Sequence, residues 1–379
     1  MYLQLQKGKK LKSNKLNVVT PPITNLLRWS YTLGITLNNS DSLAWFYSNF
    51  IQLYSYNERY MQISHFFIDF WRGGSNELLG NNPYLIPRVF GYDNGHPLMN
   101  PECMPEYLCQ MIDDGFYPVL FLDESKFPFA PSFGEGMEND YIRLYGVYPH
   151  HFMFNAYDRD SQTFGGFGFG KGTNEFVGMY GMQTVSWSQV IESIASMKHA
   201  ILMRTMHDQL SFAYRLRTAS DPFPHHYEMK ALFIKQSLVD YLESRCSAGS
   251  MNLDVDKYRF GQSIYHQLVQ YFELCGENQQ EFRRADIRHT HTFLEHKQVM
   301  IDRVNYLKSI GLLVDDEKTN TLLNILQDVR GKCEMLKLKS ARFMQTGRLN
   351  FINSARKDIL DIKENEERAI LMLINNLKT

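Results

Sequence analysis

A change of texture a little past the middle constrains this chain more than any single motif. Up to the stretch "TASDPFPHHYEM" the sequence runs in short pieces rich in Gly, Pro, Tyr and Phe; beyond it the chain is Lys/Glu/Leu-rich, nearly free of proline, and periodic. Short apolar runs broken by turn residues make strands and short helices, whereas an apolar residue every third or fourth position makes long amphipathic helices. A boundary between Ser220 and Pro224 follows, with an α+β domain over 1–222 and a helical domain over 223–379. A chain of 379 residues is long enough for both.

Within the second part, Leu322, Ile325, Val329, Cys333 and Leu336 share one helical face, and Ile352, Ile359, Ile362, Ile370, Leu373 and Leu377 share another. Gly311 marks a helix end, and the Asp315/Asp316 pair the next start. In the first part, "TPPITNLLRWSYTLGITL" predicts a helix capped by Thr20, with its prolines in the first turn, where a missing N–H costs nothing. "DSLAWFYSNFIQLYSY" suits helix or strand. "MPEYLCQMIDDG" predicts a short helix opening near Pro105 and closing on Gly115. "FYPVLFLD" is a buried strand, and "HHFMFNAYDRDSQTFGGFGF" is two strands around a polar turn. "QTVSWSQVIESIASM" adds a third, with Ser186 or Ser188 capping the helix after it.

Composition narrows the class of protein. Hydrophobic residues make up 44% and aromatics 14%, which a packed core needs, and a net charge of −1 offers no electrostatic footprint for nucleic acid or an anionic membrane. Five cysteines, an odd count without close pairs, point to a reducing compartment. The start, "MYLQLQKGKKLKSNKLN", has five lysines and no apolar core, so it reads as a solvated leader or edge strand rather than a secretory signal. No apolar run approaches the roughly 18 residues a membrane span requires. The expectation is a cytoplasmic protein with neither nucleic-acid nor membrane partners.

Three groups of residues invite a chemical reading. The glycine tail of "TFGGFGFGKG" spaces Gly165 and Gly170-Lys171 like a phosphate loop, but Gly172 stands where the metal-binding hydroxyl belongs. The dinucleotide spacing fails as well, so the alternation of Gly with Phe167 and Phe169 suits a strand closely approached by a bulky side chain. His150 opens a strand directly after Pro149. It can serve as a general base if a nucleophile comes within about 3 Å; otherwise it is a half-buried histidine satisfied by a carbonyl. In "IRHTHTFLEHKQVMIDRVNYL", His291 and Glu295 share a face, as do His289 and His296, yet "HTFLEH" is one residue too long for the zinc motif. Polar helix packing is expected there, with no metal and no cofactor. Among the cysteines, only Cys103 is loop-placed; Cys109 and Cys333 sit at core positions, and Cys246 and Cys275 near helix ends.

The pair "MIDDGFYPVLFLDESKFPFAPSF" and "HHFMFNAYDRDSQTFGGFGF" resembles the butirosin-biosynthesis protein H family, papain-like proteins often encoded in antibiotic and nonribosomal-peptide clusters. "RHTHTFLEHKQVMIDRVNYL" is similar to a C-terminal helix of its relatives. The resemblance spans about residues 20–310. It places the family's strand-end Asp on Asp123, its His on His150, and its Gly-Tyr-Asp on Ala156-Tyr157-Asp158. In that family a Cys on the first helix takes an acyl group from a carrier-protein thioester and passes it to an amine.

This chain departs from the pattern twice. The helix reads "NLLRWSYTLGI", with Trp29 and Ser30 and no cysteine before Cys103, and Gly168 stands where the orienting Asp is expected. The resemblance therefore implies a papain-like α+β domain whose usual triad is lost. His150 would act as base, oriented by Asp123 or Asn155, with Ser30 at the nucleophile position and Trp29, His151, Asn155, Tyr157 and Phe169 lining an aromatic cleft. The implied function is acyl or peptidyl transfer, or hydrolysis, on a carrier-bound intermediate of natural-product assembly. A carrier protein or peptide-synthetase module, a small amine or peptide substrate, and a second copy of the chain are the implied partners. The alternative is a non-catalytic accessory protein, a pseudoenzyme, of such a system. A third reading makes Cys103 the replacement nucleophile.

Overall fold

A computed structural model describes residues 11–56, 66–71, 82–90, 100–129, 147–170, 179–202, 211–218, 220–221, 227–246, 255–277 and 287–378. The first elements are β1 (Ser13–Lys15), α1 (Leu27–Thr36), α2 (Leu43–Asn49), β2 (Gln52–Tyr56), β3 (Asp69–Trp71) and β4 (Leu85–Phe90). Next come α3 (Met104–Asp113), β5 (Phe116–Asp123), β6 (Pro149–Asp158), β7 (Thr163–Gly170), β8 (Met179–Ser186), α4 (Trp187–Leu202) and β9 (Ser211–Leu216). The rest is α5 (Ala231–Leu242), β10 (Tyr258–Phe260), α6 (Ser263–Glu277), α7 (Arg288–Ser309), α8 (Glu317–Thr346), α9 (Asn350–Asn353) and α10 (Ala355–Asn376). The chain is mixed α+β with a helical C-terminal region.

Two compact units divide these elements, and neither is contiguous. The first comprises 1–20, 29–38 and 83–223; the second comprises 21–28, 39–82 and 224–379. The last boundary falls between Phe223 and Pro224, but a single division after 222 would put 21–28 and 39–82 in the wrong unit.

The first unit is built on a seven-stranded sheet in the order β4-β9-β5-β6-β7-β8, with β1 also pairing with β6. Every pairing is antiparallel. Alternation sends Leu120, Leu122, Phe152 and Phe154 to one face, where they pack with Leu108 and Ile112 of α3 and Val190 and Ile194 of α4. Glycine at 166 is dictated by this packing. A Cβ there would lie 2.2 Å from Phe152 Cε1 and 2.5 Å from the Met153 carbonyl. At the far end of β8, the Ser186 hydroxyl accepts from Gln189 N while Gln189 Oε1 accepts from Ser186 N, a reciprocal box that starts α4.

The second unit joins a three-stranded antiparallel sheet, β10-β2-β3, to helices α5 to α10. In α8 the expected stripe residues Leu322, Val329, Cys333 and Leu336 are buried, while Ile325 is half-buried and Leu326 takes the core position; in α10, Ile359, Ile362, Ile370 and Leu373 are buried. Gly311, at φ +78°, follows α7, and the Asp316 carboxylate accepts from Thr319 N at 2.9 Å to cap α8. "DSLAWFYSNFIQLYSY" resolves into both candidates, α2 followed by β2.

The helix expected from Thr20 begins instead at Leu27. Glu295 of α7 explains the delay. Its Oε1 accepts from Thr24 N at 2.6 Å and from the Thr24 hydroxyl at 2.7 Å, and it also meets Asn25 N at 3.2 Å. The Asn25 amide donates in turn to the Arg288 carbonyl at 2.7 Å. With consecutive prolines supplying no donors, a distant carboxylate holds this segment in a non-helical path.

A closed polar network occupies the centre of the second unit. The Lys297 ammonium lies 2.6 Å from Glu366 Oε1, with both side chains at 0% exposure. Tyr241 and Tyr265 donate their hydroxyls to Glu366 Oε2. His296 Nε2 donates to the Ile51 carbonyl at 2.8 Å, leaving Nδ1 to accept from Lys297 at 3.1 Å. Each buried charge here thus has partners, as burial demands.

Candidate functional site

The strand register fixes the surroundings of His150. The histidine pairs with Leu122 on β5, so its side chain belongs to the sheet face covered by α3 and α4. Immediately past β5, Glu124 brings Oε1 to 3.2 Å from His150 Nδ1. The imidazole side chain is 31% exposed and the carboxylate 1%. Glu124 N donates to the Tyr148 carbonyl at 2.8 Å, which ties the turn after β5 to the start of β6. The rings of Tyr148 and Phe169 flank the imidazole at centroid distances of 6.0 and 6.2 Å.

Glu124 supplies the carboxylate that the sequence places nowhere on β7. A Cβ at Gly168 would lie 3.6 Å from Glu124 Oε1 and 2.9 Å from Phe152 Cδ2. The space beside the missing side chain is therefore filled by an acid from another strand end and by a core ring. The carboxylate thus stands at ion-pair distance from Nδ1, without the alignment of a hydrogen bond.

Asp123, expected to orient His150, is committed elsewhere. Its Oδ1 accepts from Ser125 N, the Ser125 hydroxyl and Tyr148 N at 2.7–3.1 Å, and its Oδ2 accepts from the Ser196 hydroxyl at 2.7 Å. These bonds make it the cap of the turn that delivers Glu124. Asn155, the other orienting candidate, is the extra residue of a bulge in β6, where its amide donates to the Leu16 carbonyl at 2.8 Å. Tyr157 donates to Asp113 Oδ1 at 2.7 Å, and burial together with that bond pushes its hydroxyl pKa up. Both side chains fix the end of β6 rather than line a cleft.

The two adjacent histidines part company across the sheet. His151 pairs with Phe121, on the face opposite His150, with ring centroids 4.9 Å from Phe121 and 5.5 Å from Phe212. That same face receives α1. The Tyr31 hydroxyl donates to the His151 carbonyl at 2.6 Å, and its ring packs against Tyr180 at 6.1 Å. Burial raises the Tyr31 hydroxyl well above its ordinary pKa, and the neighbouring Tyr180 and Glu124 add to the effect. Trp29 and Ser30, on α1, are 1% and 0% exposed. The helix that would carry a nucleophile thus presents an enclosed serine, while its Tyr31 lies close enough to feel the charge of Glu124. Of the expected cleft residues, Phe169 is the one found beside His150.

Cys103 is exposed, at the turn before α3, where its sulfur accepts from the Asn100 amide at 3.0 Å. Among the described residues, no cluster of His, Cys, Asp and Glu is placed to hold a metal ion, and no helix is long and apolar enough to cross a membrane. Glu124 was legible in principle: it stands two residues beyond Leu122, the partner of His150. No protein-family model matches this chain, and no curated protein matches it.

Proposed function

We propose that the first unit transfers or hydrolyses an acyl or peptidyl group held as a carrier-protein thioester, with His150 as general base and Glu124 as its orienting carboxylate. The observation that carries this reading is the 3.2 Å contact between Glu124 Oε1 and His150 Nδ1 beside an exposed imidazole edge. His150 removes a proton from water or an amine as its oxygen or nitrogen attacks the thioester carbonyl. The C–S bond breaks, and the thiol departs with the proton returned by the imidazolium. No covalent enzyme intermediate is required, which accords with a serine at position 30 that is sealed from solvent. An antiparallel sheet carrying α1 on one face and a histidine at the start of a central strand supports a papain-like scaffold for this chemistry. In natural-product assembly, the donor would be an acyl- or peptidyl-carrier protein or synthetase module.

The test is thiol release from acylated carrier protein. His150→Ala and Glu124→Gln should each slow it by about 10²–10⁴-fold, the usual worth of a positioned acid or base. Release unchanged by His150→Ala would refute the reading. The second reading, a non-catalytic accessory protein of a peptide-synthetase system, is favoured by the burial of both Trp29 and Ser30. It predicts carrier-protein binding with no thioester loss at all.

A further inference from the structure

A cavity of about 270 Å³ opens in the second unit between the end of α5, the start of α6 and one face of α10. Its size is a little under the roughly 300–1,000 Å³ of ordinary small-molecule sites, so it suits a compact ligand. Leu242, Val269 and Leu360 give it an apolar wall, while Gln262, Arg356 and Lys363 give it donors.

The chain path around the cavity is tightly determined. Gly261 stands at φ +54°, and a Cβ there would fall 2.1 Å from the Tyr241 carbonyl. That carbonyl also accepts from Gln262 N at 2.9 Å. This turn sets Gln262 immediately before α6. Gln262 is 6% exposed, and its Nε2 has no acceptor among the described residues. A buried amide N–H without an acceptor is costly to leave empty and is satisfied when a ligand brings an oxygen.

The electrostatics specify the sign of that ligand. Arg356 and Lys363 lie seven residues apart on α10, on one helical face, and both border the cavity. The start of the 15-residue α6 adds the partial positive charge of a helix N-terminus. Ser263 N is already bonded to the Ser244 hydroxyl, so the helix contributes its field rather than that N–H. The acid facing Arg356 is Glu273, 3.5 Å away, with side chains 70% and 49% exposed. An exposed pair of this kind is weak and leaves the guanidinium able to turn to a second anion. Two cations, an amide donor without an acceptor among the described residues and an apolar wall fit a dianion on a small carbon body.

We infer that this cavity binds a small phosphate monoester, its phosphate held by Arg356, Lys363 and the Gln262 amide and its organic part against Leu242, Val269 and Leu360. Calorimetric titration of the full chain with phenyl phosphate, inorganic phosphate and phenol tests this. Phenyl phosphate should bind about tenfold more tightly than inorganic phosphate, and phenol should not saturate the site. The double variant Arg356→Ala/Lys363→Ala should weaken phenyl phosphate by tenfold or more, about the worth of one charge-assisted contact. Lys357→Ala, an exposed neighbour that does not line the cavity, should leave binding unchanged. Gln262→Glu, which places a carboxylate in the cavity, should abolish binding. Failure to saturate with phenyl phosphate, or equal affinity in the native protein and the Arg356/Lys363 double variant, would overturn the assignment. Neither result bears on thioester cleavage at His150.

Discussion

The ring of Phe152 fills the space that a side chain at Gly168 would need, with Cδ2 2.9 Å from the position of an added Cβ. The same ring stands closer still to Gly166, where the Met153 carbonyl also obstructs. Gly166→Ala should therefore destabilise the protein by about 3 kcal/mol, the upper end for overpacking, and Gly168→Ala by about 1 kcal/mol. Urea denaturation distinguishes them. A Gly166→Ala variant as stable as the native protein would mean that the Phe152 ring of β6 does not pack against Gly166 of β7.

The Lys297–Glu366 pair makes a second prediction. Glu366→Gln leaves the ammonium buried with its countercharge gone, and removing one partner of such a pair costs about 3–5 kcal/mol. Replacing both, by Lys297→Met with Glu366→Leu, should recover much of that loss. Equal destabilisation by the single and double variants would show that the charges are not coupled.

His296 gives the second unit a dependence on pH. Burial lowers its pKa well below the usual imidazole value, and the adjacent Lys297 and Arg303 charges reinforce the shift; the hydrogen bond to Ile51 opposes it. Glu366, whose Oε1 lies 3.7 Å from Nδ1, is the acid that faces it. The folded pKa lies below the unfolded one, so the unfolded chain binds the extra proton. Stability from this group is intact above about pH 6.5 and is lost as pH falls toward the folded pKa, by up to about 1.4 kcal/mol per pH unit. Denaturation midpoints from pH 7.5 downward should fall more steeply for the native chain than for His296→Gln. Parallel curves would contradict the sign.

Thiol labelling separates Cys103 from the others. Burial pushes Cys275 and Cys333 up to about 12, whereas Cys103 is exposed. Iodoacetamide at neutral pH should modify Cys103 well before those two. Thioester cleavage should survive the modification; its loss would make Cys103 the nucleophile in place of direct attack by water or an amine.

The parts of this fold that a reader of the sequence can see are those whose partners lie within a turn or a strand. The buried stripe of α8, the Asp316 cap, the Gly311 stop and the Ser186 box are all local. What is hidden depends on distant partners. Thr20 fails to start a helix because Glu295, 271 residues from Thr24, takes the backbone N–H groups first. Asn155 and Tyr157 look like site residues in a motif, yet the Asn155 amide N–H is spent on the Leu16 carbonyl and the Tyr157 hydroxyl on Asp113. Asp123 matches the family pattern by position, but four hydrogen bonds commit it to the turn, and the acid that reaches the imidazole is its neighbour. The inclusion of 21–28 and 39–82 in the helical unit likewise has no signature in composition.

Chemical rescue at position 150 tests the central claim most directly. His150→Gly should lose thioester cleavage, and added imidazole should restore it in proportion to concentration, because the native ring is 31% exposed and the vacated site can admit a replacement. Glu124→Gln should remain impaired with or without imidazole. Cleavage by His150→Gly at the native rate, or no cleavage by the native protein of any acylated carrier, would contradict a base at His150.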